Sequence, residues 1–197
     1  LFYQPEQPLL KVSSSFNIFE NRVTRGHKFK VLNSDLTYSF KASKDLTTDD
    51  YLIMQPSLMD MEETLDKSEA YALGLSISNE NIDSNENIDI NSKIMSFSND
   101  SILSFLSGFI DGNGFINIKD NDMNEIVIIS LSHKFLNKLA VLLFDRFGIV
   151  SSIVNSSEDY NYYNLTFIGS DAYFFKDKLN LLNEEKRDRL NSFKDSL

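Results

Sequence analysis

Small residues at fixed places in an apolar run limit this chain more than any other feature. Residues 101–119 read SILSFLSGFIDGNGFINIK. Ser107-Gly108 and Gly112-Asn113-Gly114 bare the backbone beside Phe105, Leu106, Phe109 and Ile110. A stretch of this kind offers its backbone to another segment at close range. Between the glycines stand one acid, Asp111, and one amide, Asn113. A place shaped to present a carboxylate presents an amide.

The 197 residues allow one or two small domains with a real core. At 42% apolar and 24% charged, the chain has the composition of an ordinary globular protein, so a packed fold is expected. No apolar run approaches the ~18 residues of a membrane span, so no membrane partner is expected. Leu1 opens the chain without a basic, then apolar, leader, which predicts a fragment, a processed product or one piece of a larger protein. The absence of Cys excludes disulfides, thiolate metal sites and Cys nucleophiles, and His27 and His133 are too few for a His-rich metal site. The Asn, Ile and Ser bias is that of an AT-rich genome, such as an organelle or a virus, and an intracellular setting is expected.

The net charge of −10 weighs against strong nucleic-acid affinity. That charge is concentrated. Residues 61–100 hold nine acids (Glu62, Glu63, Asp66, Glu69, Glu80, Asp83, Glu86, Asp89, Asp100) against Lys67 and Lys93. The first sixty residues balance to zero, and the last 97 carry about −3.

The chain reads as α+β. Residues 9–56 contain short strand-like runs, LLKVSSSF, RVTRGHKFKVL, LTYSFKA and DYLIMQ, bounded by Asn, Ser, Asp and Thr. Residues 58–75 have apolar residues at roughly helical spacing and predict a helix. Residues 79–96, with NENID twice, read as an exposed linker. From Asn99 the pattern predicts α-β-β-α-β-β-α and a final helix. Asp100 or Ser101 would cap the first helix, and Ser132 and Gly148 would bound the second. Ser170 or Asp171 would open a helix over AYFFKDKLNLL. The segments are 1–57, 58–100 and 101–197.

LSGFIDGNG, Leu106–Gly114, is similar to the signature of the LAGLIDADG homing endonucleases, and the element order after it resembles one half of such an enzyme. VTRGHKFKV, with Thr24 and His27, resembles the Thr-x-x-His block of an intein splicing domain, so residues 1–57 look Hint-like. Between them YALGLSISNE resembles a worn first signature, with Ala72–Glu80 on its nine positions.

The resemblance implies two signature helices packed through small residues, here Gly74, Ser107 and Gly108. It implies a metal-binding acid at the eighth signature position, which here is Asn113 in one copy and Asn79 in the other. Asp111, or Glu80, would have to substitute as the metal ligand. Mg2+ would be the cofactor of an active nuclease, and without activity no cofactor is implied. Asn117 and Lys119 would touch double-stranded DNA. Thr24 and His27 would be relics of splicing.

Asn113 lies only 34 residues after Asn79, too close for a complete first half. The implied function is an intein-derived endonuclease-like region, degenerate and carried by a host protein. Two alternatives stay open. One is an active metal-dependent endonuclease, dimerising through the 101–112 helix. The other is a non-enzymatic structural or interaction insert.

Overall fold

The computed structural model describes residues 8–14, 20–61, 65–79, 94–119, 122–155 and 162–195. It divides into two compact units, Leu1–Pro56 and Ser57–Leu197.

In the first unit, β1 (Leu10–Ser13) pairs antiparallel with β2 (Glu20–Val23). A second sheet has the order β4-β3-β5, from β3 (Lys28–Leu32), β4 (Tyr38–Ala42) and β5 (Tyr51–Leu52). The run RVTRGHKFKVL, expected as one strand, is broken at residues 24–27. There the His27 N–H donates to Thr24 O at 3.0 Å and closes a turn. The turn is held from outside: Ser43 donates through its N–H to His27 O at 2.7 Å and through Oγ to Thr24 O at 2.8 Å. Among the described residues of this unit only Val31 is a fully buried apolar side chain.

The second unit has α1 (Lys67–Asn79), α2 (Asn99–Asn113), β6 (Gly114–Lys119), β7 (Met123–Ser130), α3 (His133–Phe147), β8 (Ser152–Asn155), β9 (Tyr163–Ile168), α4 (Gly169–Tyr173) and α5 (Glu184–Asn191). From α2 onward this is the expected α-β-β-α-β-β-α order with a last helix. The sheet runs β6-β7-β9-β8, antiparallel throughout. Its strands alternate: Ile116, Ile126, Ile128, Ile153, Leu165 and Phe167 are buried on one face. The helices complete that core with Phe105, Leu106, Phe109, Leu136 and Leu143, and the turn after α4 adds Phe175. Phe109 stacks on Phe135 at 5.4 Å, and Phe167 meets Phe175 edge-on at 5.2 Å. Each fully buried side chain of this size contributes about 1.5–3 kcal/mol.

Three expectations are corrected. The helix expected over 58–75 begins nine residues later and runs to Asn79. Residues 57–61 instead form a strap latched to the end of α3. Ser57 N–H donates to the Asp145 carboxylate at 3.3 Å, Leu58 N–H to Asp145 O at 2.8 Å, and the buried Arg146 guanidinium to Met59 O at 3.0 Å. A second guanidinium nitrogen of Arg146 donates to Met95 O at 2.7 Å, so this side chain is spent on the latch. Second, the cap of α2 is Ser98 rather than Asp100 or Ser101, its Oγ accepting from Ser101 N–H at 3.3 Å. Third, the helix expected after Ser170 stops at Tyr173 and gives way to turns over residues 174–178, which lead into residues 180–183 held along α2. Ser132 and Gly148 bound α3 as expected, Gly148 at φ +71°. Most of the expected linker, residues 80–93, and Glu80 with it, lies outside the described residues.

Candidate functional site at the paired helix ends

The bare stripe of α2 packs on α1 of the same chain. A Cβ added to Gly108 would lie 2.0 Å from Tyr71 O, and one added to Gly74 would lie 2.0 Å from Phe105 O. Each glycine therefore faces the carbonyl three residues before the other, so the crossing is symmetric about the helix pair. Gly112 continues it, since a Cβ there would lie 1.7 Å from Ser78 Oγ. Only glycine permits backbones this close. The register sets residue 79 and residue 113 at corresponding ends, each five residues past its crossing glycine and each the last residue of its helix. The face of α2 that would serve a dimer through residues 101–112 is thus taken by α1.

Ser107, expected in the crossing, faces elsewhere. It is fully buried, donates to Leu103 O at 2.8 Å and accepts from Asn180 N–H at 2.9 Å. Its hydroxyl holds the 180–183 segment against α2, one flank around from the glycines.

Asn113 uses its amide as a donor: Nδ2 reaches Ile129 O on β7 at 3.1 Å. A carboxylate has no hydrogen to give there. Asp111 is a structural acceptor. Its Oδ2 takes the Tyr71 hydroxyl at 2.7 Å, Leu182 N–H at 2.6 Å and Asn183 N–H at 3.3 Å. Its Oδ1 is buried without a hydrogen-bond partner. Lys186 then closes the end of α2, its ammonium donating to Ile110 O at 2.7 Å and Asp111 O at 2.9 Å. Burial lowers the Lys186 pKa, against the opposing pull of Asp111 and Glu185.

Burial, and after it the hydrogen bond to Asp111, pushes the Tyr71 phenol well above its usual range. The folded value is raised above the unfolded one, so the stabilisation is whole below about pH 10, the ordinary phenol pKa, and is lost as pH rises beyond it. Urea midpoints measured from pH 9 to 11 should fall in the wild type. The Tyr71→Phe variant should start lower by about 1 kcal/mol and fall less steeply.

The two residues expected at DNA lie on the sheet face opposite the core, and both reach Glu125. Asn117 Nδ2 lies 3.3 Å from Glu125 Oε2, and Lys119 Nζ lies 2.5 Å from Glu125 Oε1. The four strands of this sheet contain no other charged residue than Lys119 and Glu125. The face opposite the core is otherwise uncharged, with Asn117, Ser152, Asn164 and Thr166 among Phe115, Val154 and Ile168, the last three at least half exposed. Thr24 and His27, in the first unit, share the turn described above. His27 is exposed and its ring meets Phe29 edge-on at 5.0 Å.

A hard divalent cation takes about six or more oxygens, with carboxylates supplying the charge. Among the described residues no three His, Asp or Glu side chains converge. Asp111 offers one unpartnered oxygen, with the Lys186 ammonium bound to its own carbonyl. Asn113 offers an amide already engaged. These residues do not fit a catalytic metal.

Several residues of this site escape sequence reading. Gly112 is one that a sequence signal could have found: it follows Gly108 by four, which puts both on one helix face. Tyr71 and Lys186 carry no such signal, because each acts across a gap of some forty residues or more that leaves no periodic trace.

Residues 100–180 match the family model of the LAGLIDADG-like domain. No curated protein matches the chain. The match begins in α2 and ends just past α4, so over this stretch the chain is similar to a LAGLIDADG-like domain. Among the described residues no helix is long and apolar enough to cross a membrane.

Proposed function

We propose that the chain is a degenerate, intein-derived LAGLIDADG region kept as an insert in a host protein, without DNA cleavage or splicing. The observation that carries this reading is Asn113. It stands at the position the family resemblance gives to the metal-binding acid, and it donates to Ile129 O at 3.1 Å. The crossing register supports Asn79 as its counterpart. The engagement of Asp111 by Tyr71 and the 182–183 amides supports a structural role rather than a rescue of the metal site. The mutual neutralisation of Lys119 and Glu125 supports weak attraction of this sheet for duplex DNA. The intein part of the reading rests on Thr24 and His27 alone. On this reading the partner is the host polypeptide, and the compartment is the host's.

Divalent-cation titration tests the reading. Calorimetry with Mg2+ or Ca2+ should show no saturable site, and thermal melting should not move with either ion. A saturable site abolished by Asp111→Asn would contradict it.

The Asn113→Asp variant gives a second expected outcome. It replaces the amide donor with a carboxylate facing the Ile129 carbonyl, two acceptors with no hydrogen between them. Stability at neutral pH should drop by about 1–3 kcal/mol, read from urea unfolding. Unchanged or raised stability would mean that the amide bond to β7 contributes nothing.

A further inference from the structure

The open face of the β4-β3-β5 sheet in the first unit has a chemistry that the reading above does not use. Register places Lys28, Lys30 and Leu32 of β3 on one face with Phe40 and Tyr38 of β4 and Tyr51 of β5. The buried Val31 belongs to the other face. Tyr38 is 58% exposed, Phe40 62% and Tyr51 74%. With Leu32, 41% exposed, they form a contiguous apolar patch on one sheet face, the kind of surface that marks an interaction site.

The charges on this face are of one sign. β3, β4 and β5 contain no acid, and the third lysine, Lys41, is on the opposite face, paired with Asp50 at 2.8 Å. Lys30 Nζ sits 3.8 Å above the Tyr38 ring, and the Tyr38 and Phe40 rings meet edge-on at 6.2 Å. Charge is also segregated along the chain. Seven Lys and Arg against six acids give residues 1–56 a net charge of +1, so residues 57–197 carry −11.

We infer that this face binds single-stranded nucleic acid, with unstacked bases on Phe40, Tyr51 and Tyr38 and phosphates beside Lys28 and Lys30. Aromatic platforms interleaved with cations bind single strands in this way, with little sequence preference. A duplex hides its base faces in its own stack, so it could use only the two lysines, and two phosphate contacts hold a duplex weakly.

Fluorescence anisotropy of the full chain with a labelled short oligothymidylate tests the inference, with a duplex of matching length alongside. The single strand should bind at low salt and weaken as salt rises, and the duplex should bind at least tenfold more weakly. Phe40→Ala and Tyr51→Ala should each cost about tenfold, the size of one lost base stack. Lys28→Glu with Lys30→Glu should abolish binding. All these side chains but Lys30 are exposed, so circular dichroism melting of each variant should match the wild type and exclude misfolding. No single-strand binding at low salt would overturn the inference, as would equal binding of the duplex or indifference to Phe40→Ala. Self-association in sedimentation velocity that Phe40→Ala removes, with no oligonucleotide bound, would overturn it in favour of a second copy on this face. None of these outcomes depends on whether the second unit cleaves DNA.

Discussion

Valine in place of Gly108 is expected to unfold the second unit's helix pair. The first added carbon would fall 2.0 Å from Tyr71 O, well inside van der Waals contact, and the obstacle is backbone. The two helices would have to separate at the crossing, because Gly74 meets the backbone of α2 as tightly as Gly108 meets that of α1. Overpacking of an ordinary core costs about 1–3 kcal/mol, since side chains there can shift. Here a helix must move, so a loss of about 3 kcal/mol or more is expected. Urea unfolding followed by far-UV circular dichroism measures it. The control is Ser76→Ala, on the exposed side of α1, which should change stability by less than about 0.5 kcal/mol. A Gly108→Val protein as stable as the wild type would show that α1 and α2 do not cross through their glycines.

Alanine at Asp111 should be the second most damaging change. The carboxylate gathers a hydroxyl from α1 and two backbone N–H groups from residues 182 and 183. Hydrogen bonds to a charged group are worth about 1.5–3 kcal/mol each way, and losing the acceptor leaves its donors unpaired. A net cost of about 3 kcal/mol is expected. The loss has a location as well as a size. Leu182 and Asn183 anchor the approach to α5, and Asn183 also caps that helix, accepting from Lys186 N–H at 3.1 Å. Limited proteolysis should therefore cut Asp111→Ala first between residues 179 and 190, while the wild type resists there. A metal ligand freed by the same substitution would leave this proteolysis pattern unchanged.

The α2-to-α5 order was readable from sequence because its signals are local. Ser132 and Gly148 cap α3 with their own side chain and backbone, and the strands alternate. The start of α1 was misread because apolar spacing at Leu58 and Met61 resembles a helix. The Asp145 carbonyl and Arg146, almost ninety residues away, hold that stretch extended. The first unit was harder for the opposite reason. Its strands are too short, and too little buried, for pattern alone to place the break at residues 24–27.

The helix ends show the same division. The glycine stripe was legible as backbone waiting for a neighbour, and the resemblance supplied the neighbour's identity. What Asn113 does there was not legible, because the amide's partner, Ile129 O, is a backbone atom on a different element. The same holds for Asp111, whose three donors come from two distant segments. Side chains that read as chemistry in sequence serve here as connectors between elements.

On the proposed function, amides stand at both signature positions and the fold persists without cleaving DNA. Incubation of the purified chain with a randomised duplex library and Mg2+ or Mn2+, followed by sequencing of the ends produced, tests it most directly. No metal-dependent ends above a metal-free control are expected. Metal-dependent double-strand ends at a recurring sequence, lost in Asp111→Asn, would contradict it.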